Sequence, residues 1–208
     1  SIAPAPALSQ QLLGLPHDVH VGPGDQSDPH VSGSLVAYTS AIDGASEIRI
    51  HNLEDGRDEA IPTGRALDLL SDISGTTIAF TRLGSDASSI MSHDVASPGP
   101  PIEVAPVPNA NRRRAVLGGP TIAWLDHGLA GAAGLPVLAA VTGGEGVATR
   151  LSDDLRIHRD PAVSPDGQVV VWTRCEQDGR GCAVIEARRS GGTWITEVRA
   201  ALGESSHP

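Results

Sequence analysis

The hydrophobic positions of this chain recur in short runs, and four of these runs end in an aromatic residue. Each run begins with an apolar residue, passes through a turn of small residues, and closes with a short apolar stretch and the aromatic. The runs cover residues 31–38, 73–80, 117–124 and 163–172, and they end at Tyr38, Phe80, Trp124 and Trp172. The aromatics lie 42, 44 and 48 residues apart in a chain with only five aromatic residues. This placement indicates a tandem repeat of about 42–48 residues.

Each repeat continues with two further strands. A polar, glycine-bearing turn leads to a third strand, predicted at residues 47–53, 88–95, 135–141 and 182–189. A second turn leads to a short fourth strand, predicted at residues 59–62, 102–106, 148–152 and 194–200. Apolar and polar residues alternate in several of these segments, as they do in a strand with one buried face. Four antiparallel strands per repeat predict an all-β fold, a β-propeller of four-stranded blades.

One repeat carries a family signature. Residues 160–167, Asp-Pro-Ala-Val-Ser-Pro-Asp-Gly, followed by the apolar run to Trp172, resemble the blade motif of TolB-like propellers. Residues 28–33 and 70–75 are shorter versions, and the third repeat keeps only residues 117–119. The resemblance extends over residues 17–208. It implies the propeller fold and no shared catalytic residues, because the motif shapes turns.

The repeats suggest the domain organisation. Residues 1–16 form a Pro/Ala-rich arm, typical of a mature N-terminus after signal cleavage or of a linker. Residues 17–208 form the propeller, with blades at about 28–66, 70–110, 114–154 and 158–203. Residues 17–22 resemble a further outer strand, so the ring has four blades or is part of a five- or six-bladed one. We expect that strand to pair with residues 194–200, or the chain to associate with another chain at this open edge.

Charge and hydropathy exclude two classes of partner. The net charge of −10 opposes binding to nucleic acid, which needs a basic face. The one basic cluster, Arg112, Arg113 and Arg114, is interpreted as a solvated loop. No apolar run reaches the roughly 18 residues that span a bilayer, so no membrane insertion is predicted. All 15 basic residues other than histidine are arginine, which suggests a GC-rich bacterial genome.

The two cysteines, Cys175 and Cys182, flank a turn between two predicted strands. Paired strands bring the two thiols together, which favours a disulfide within one hairpin over two free, buried thiols. A disulfide implies an oxidising compartment, so we expect a secreted or periplasmic protein. A zinc site is not expected, because no histidine pair lies at ligand spacing.

Polar residues at the starts of the inner strands form a candidate site. His30 begins one inner strand, and His158 and Asp160 precede another at a similar place. Inner strands of a propeller line its central channel. Together with Asp28 and Asp72, these residues predict a polar channel mouth that binds a small ligand or a cation. The alternative is that the carboxylates cap their own turns and His30 is solvated.

No catalytic motif accompanies this site. The sequence contains neither a G-x-S-x-G nucleophile motif nor a phosphate-binding or EF-hand loop, so no catalytic residue, metal or cofactor is predicted. His17 and His20 point to opposite faces of a strand and are better interpreted as solvated. We therefore expect a non-catalytic, extracytoplasmic module that binds a protein or a small ligand. The alternative is the propeller portion of a larger secreted hydrolase, which positions or gates substrate.

Overall fold

A computed structural model describes residues 19, 22–62, 67–97, 99–128, 135–143, 146–152 and 155–201. Within these ranges the regular structure is entirely β, with sixteen strands and no helix. Accordingly, no described segment is a helix with the length and apolarity required to cross a membrane. The all-β prediction is confirmed for this part of the chain.

The strands fall into four consecutive groups of four, here called blades 1 to 4. Blade 1 contains β1 (Asp25–Ser32), β2 (Leu35–Ile42), β3 (Ala45–Asn52) and β4 (Asp58–Ala60). Blade 2 contains β5 (Leu67–Ser74), β6 (Thr77–Leu83), β7 (Ser88–Asp94) and β8 (Ile102–Glu103). Blade 3 contains β9 (Arg112–Gly118), β10 (Thr121–Asp126), β11 (Val137–Thr142) and β12 (Thr149–Arg150). Blade 4 contains β13 (Ile157–Val163), β14 (Val169–Cys175), β15 (Ala183–Ser190) and β16 (Thr193–Ala201).

Within each blade, neighbouring strands pair antiparallel in chain order. Blades 3 and 4 are separate four-stranded sheets, whereas blades 1 and 2 share an eight-stranded sheet. A single parallel pair, Ser46 with Leu67, joins β3 to β5 and accounts for this merger. The first strands lie side by side, because β5 contacts both β1 and β9, and β9 contacts β13. These four strands form the inner edge of the arrangement.

The repeated aromatic residues lie in equivalent buried positions. Tyr38, Phe80, Trp124 and Trp172 occupy the second strand of successive blades and are at most 4% exposed. Phe80, Trp124 and Trp172 each pack into a hydrophobic cluster shared with the preceding blade. The residue before each aromatic points the opposite way, because side chains alternate along a strand. Stacking of consecutive blades therefore buries both faces of blades 2 and 3.

The arginine cluster corrects the sequence prediction of a solvated loop. Arg112 begins β9 and is only 2% exposed. Its Nε donates to Asp126 Oδ2 at 2.9 Å, across the β9–β10 pair. In blade 2 the equivalent positions hold the reversed pair, in which Arg82 Nε donates to Asp68 Oδ1 at 2.9 Å. A cation can be buried here because an anion on the neighbouring strand compensates it.

The predicted disulfide is present. Cys175 ends β14 and Cys182 immediately precedes β15, with an S–S distance of 2.02 Å. The predicted outer strand at residues 17–22 lies outside the described residues except for positions 19 and 22, and the arm at residues 1–16 lies wholly outside them. In its sheet, β16 is the outermost strand.

Candidate functional site at the inner strands

Each inner strand carries a β-bulge opposite the buried aromatic of the second strand. The bulges place four residues at one repeat-equivalent position: Asp28, Leu70, Arg114 and Asp160. Three of them adopt left-handed backbone conformations, with φ of 50° at Asp28, 54° at Arg114 and 54° at Asp160. Such angles are uncommon outside glycine and are least expected for a long side chain such as arginine. Repeated backbone strain at one position points to a functional constraint there.

All four bulge residues line a single cavity of about 690 Å³ between the inner strands. Its charged and polar lining includes His30 and Arg113 in addition to Asp28, Arg114 and Asp160. Its apolar lining comes from Leu69, Leu70, Leu83, Ala115, Val116 and Pro161. A bulge sets its side chains off the regular pleat, so these residues reach the space between the strands. The cavity thus offers both signs of charge on a partly apolar wall.

Asp72 anchors one side of this cavity. Its Oδ1 lies 3.1 Å from His30 Nδ1 in blade 1 and accepts a hydrogen bond from the Ile73 amide at 2.8 Å. Its Oδ2 accepts a hydrogen bond from the Leu117 amide of blade 3 at 2.8 Å. One carboxylate therefore links three blades, and it orients the His30 ring. His30 remains accessible to a ligand, because its side chain is 40% exposed.

The other side of the cavity is more open. Arg114 Nη1 lies 3.4 Å from Asp160 Oδ1, and both side chains are 65% exposed. An exposed ion pair of this kind contributes little to stability, so both groups remain available to a ligand. Asp28 has neither an ion-pair partner nor a hydrogen-bond partner for its side chain among the described residues. The cavity therefore presents charged groups whose own structural roles are small.

The structure separates His158 from the other predicted site residues. His158 is 2% exposed, and its Nδ1 accepts a hydrogen bond from Trp172 Nε1 at 3.1 Å. The reason lies in the register: His158 pairs with Arg174 before the bulge of its strand, whereas His30 pairs with Ala37 after the bulge. The two histidines are therefore not equivalent. Asp28, His30 and Asp160 line the cavity, Asp72 lies behind His30, and His158 packs in the blade interior.

Sequence reasoning missed Arg113 and Arg114 as cavity residues. Their place in the repeat was the available signal, since Arg114 aligns with Asp28 and Asp160 once the aromatics are superimposed. The described residues contain no cluster of three or more His, Cys, Asp or Glu that would suit a metal ion. Among them, the His30 ring hydrogen-bonds only to Asp72, so it has no hydroxyl or thiol partner of the kind used in nucleophilic catalysis.

Comparison with known proteins places the fold. No protein-family model and no curated protein matches the chain. A putative TolB from Agrobacterium tumefaciens has a TM-score of 0.60 at 18% identity, over 79% of this chain and 61% of that one. TolB from Acinetobacter baumannii has a TM-score of 0.59 at 17% identity, over 88% of this chain and 45% of that one. A puromycin-hydrolyzing peptidase from Mycobacterium tuberculosis has a TM-score of 0.59 at 15% identity, over 84% and 30%.

This chain spans about three fifths or less of each of these structures. At such low identity the similarity concerns the backbone arrangement and not the chemistry of the sites. The described residues form four consecutive groups of four strands, each paired antiparallel within its group. The chain therefore has a TolB-like β-propeller fold, represented here by four blades.

Proposed function

We propose that this chain is a non-catalytic, extracytoplasmic binding module whose inner-strand cavity receives a polypeptide segment of a partner protein. The observation that carries the proposal is the convergence of three strained, repeat-equivalent residues, Asp28, Arg114 and Asp160, on one cavity. Strain at equivalent positions is retained where a binding surface requires it.

The chemistry of the cavity favours a polypeptide over a simple ion. Its volume of about 690 Å³ lies within the range of ordinary ligand sites. Arg113 and Arg114 recognise carboxylates, Asp28 and Asp160 recognise basic groups, and the leucines accept apolar side chains. A polypeptide segment supplies all three kinds of group. A single cation or anion would leave half of the charged lining without a partner.

The disulfide supports the extracytoplasmic part of the proposal. Structural disulfides persist in oxidising compartments and are rare in the cytosol. Cys175 and Cys182 close a short hairpin in a chain that has no other cysteine. The bond therefore stabilises the protein only where it stays oxidised.

A second candidate is the propeller portion of a larger secreted hydrolase. The observation in its favour is the similarity to a puromycin-hydrolyzing peptidase, of which this chain spans 30%. In that case the same cavity would gate or position a substrate for a catalytic domain elsewhere in the protein. A reading frame that continues into a hydrolase domain would favour this candidate, and one without such a domain would favour the first.

A peptide-display experiment tests the binding proposal. Random peptides are selected on the immobilised chain, and the affinity of each selected peptide is measured for Asp28→Ser and Arg114→Ser variants. We expect losses of about tenfold or more, because each substitution removes a charge-assisted hydrogen bond. Asp178→Ser and Arg180→Ser are matched controls, since both residues are exposed and line neither this cavity nor the clefts at His93. A selection in which no peptide loses affinity for either cavity variant would contradict the proposal.

A further inference from the structure

A second recess lies at the opposite end of the strands from the inner-strand cavity. It consists of one cleft of about 370 Å³ between blades 1 and 2 and another of about 330 Å³ between blades 2 and 3. Both clefts are lined by His93, Ser97 and Gly99, so they meet at the end of β7. We call the two clefts together the His93 groove. The inner-strand cavity shares none of these three residues.

His93 forms the wall between the two clefts. It is only 9% exposed, and its ring has no hydrogen-bond partner among the described residues. Neither ring nitrogen is among the buried unpaired atoms of the described residues, so the ring reaches the space of the clefts. A neutral imidazole carries one donor and one acceptor. Burial lowers the pKa of His93, an effect that the neighbouring Asp94 partly opposes. The ring therefore stays neutral near pH 7 and offers a donor and an acceptor to a ligand.

The clefts on either side of His93 have apolar walls. Ile50 and Ile61 line the cleft between blades 1 and 2. Ile102, Leu117 and Ile122 line the cleft between blades 2 and 3. Each cleft favours an apolar group of a ligand, and the donor and acceptor of the His93 ring between them favour a polar group. A ligand with alternating apolar and polar groups therefore fits the His93 groove.

The rim of the groove is acidic. It carries Asp55, Glu59 and Asp94, with Arg57 as the only cation among its described lining residues. Arg57 lies 3.5 Å from Asp55 in an exposed pair, so Glu59 and Asp94 carry the net negative charge of the rim. Hydrogen bonds, chiefly from the Thr76 side chain, lower the pKa of the Asp94 carboxyl and keep it ionised. A basic group on a ligand is therefore favoured next to the groove.

We propose that the His93 groove is a second binding site, which takes an extended peptide segment of a partner protein with a basic residue beside two apolar ones. Backbone C=O and N–H groups of the segment pair with the donor and the acceptor of His93, respectively. Residues i and i+2 of an extended chain point to the same side, so two apolar side chains enter the two clefts. This site is independent of the function proposed for the inner-strand cavity.

The test uses a defined probe, the capped peptide acetyl-Arg-Leu-Ala-Leu-amide, titrated into the full chain with isotope-labelled methyl groups and histidine rings. We expect the NMR signals of Ile61 and Ile122, one in each cleft, and of the His93 ring to shift together. A shift at Leu69 would report separate binding in the inner-strand cavity, so it is followed as an independent signal. A peptide with serine in place of both leucines should not bind, and one with aspartate in place of arginine should bind more weakly.

Two pairs of variants assign the effect to the groove. Ile102→Asp places a carboxylate in the apolar wall of one cleft and should weaken binding about tenfold or more. Ile102 is 42% exposed, so this variant should fold. The matched control is Val147→Asp, because Val147 is 94% exposed and lies outside the groove. His93→Phe removes the donor and acceptor and should also weaken binding. Its control is His127→Phe, since His127 does not line either cleft.

Four results would overturn the inference. The first is the absence of shifts at the highest soluble peptide concentration, and the second is shifts at Leu69 in place of Ile61 and Ile122. The third is equal binding of the serine peptide, which would show that the clefts do not select apolar groups. The fourth is wild-type affinity in Ile102→Asp. None of these results contradicts the function proposed for the inner-strand cavity, whose test relies on Asp28 and Arg114.

Discussion

Replacement of Arg112 by methionine is expected to destabilise the protein strongly, because Arg112 is a buried cation that joins blades 2 and 3. Its Nε donates to Asp126 Oδ2 at 2.9 Å, and its Nη1 donates to the carbonyl oxygens of Val104 and Ala105 at 2.8 and 2.7 Å. Its guanidinium carbon lies 5.0 Å from the centre of the Trp124 ring. The Arg112 and Asp126 side chains are only 2% and 1% exposed, so water cannot readily replace the lost donors.

The magnitude follows from the charge that the substitution leaves behind. Removal of one partner of a buried ion pair costs about 3–5 kcal/mol, and methionine fills most of the space, so little of this is a cavity effect. Combining Arg112→Met with Asp126→Leu removes both charges and should recover part of the loss. The recovery is incomplete because Trp124 Nε1, which donates to Asp126 Oδ2 at 3.1 Å, loses an acceptor. The carbonyls of Val104 and Ala105 also lose their donor, Arg112 Nη1. Each of these bonds contributes about 1 kcal/mol.

Urea unfolding followed by tryptophan fluorescence measures these differences. An exposed ion pair supplies the control, because Arg57 and Asp55 are 75% and 46% exposed and water can reach the carboxylate that remains. Arg57→Met should therefore cost less than about 1 kcal/mol. The reasoning is refuted if Arg112→Met costs no more than Arg57→Met, or if the double variant is less stable than Arg112→Met alone.

Three further outcomes are expected. Gly118→Ala should destabilise by about 1–3 kcal/mol, because a Cβ there would clash with the backbone oxygen of Ser164 in blade 4. The unfolding midpoint of Gly99→Ala should move little, because a Cβ at residue 99 meets nothing within 4 Å. Burial, with a smaller contribution from a hydrogen bond to a carboxylate, raises the pKa of Tyr38 from 10.0 to about 12. The neutral phenol therefore stabilises the fold below pH 10, and this contribution disappears as the pH rises towards 12. Because Tyr38 is the only tyrosine, an ultraviolet titration that shows phenolate at its ordinary pKa would contradict this. Replacing Cys175 and Cys182 together by alanine should lower the free energy of unfolding by about 2.5 kcal/mol, since the closed loop is short. Thiol titration of the wild type without reductant should detect no free thiol.

The sequence alone determined the repeat and the core of each blade. Period-2 alternation and turn glycines are local signals, so strand order could be predicted from the residues themselves. The aromatic at the end of each second strand, such as Trp124, marked a buried position because a large apolar side chain is stable only where neighbouring strands cover it. The disulfide followed from the same local logic, since a hairpin brings Cys175 and Cys182 together.

Tertiary structure decided which polar residues meet. Each inner-strand bulge shifts the register by one residue, and His158 precedes the bulge of its strand whereas His30 follows the bulge of its own strand. Asp72 contacts Leu117 only because blades 2 and 3 stack, and no local pattern encodes that distance. The sequence predicts Arg112 as a surface residue because its local segment contains no compensating anion. That anion, Asp126, lies on the neighbouring strand. Charge compensation and ligand cavities depend on contacts between distant segments, and those contacts exist only once the blades have packed.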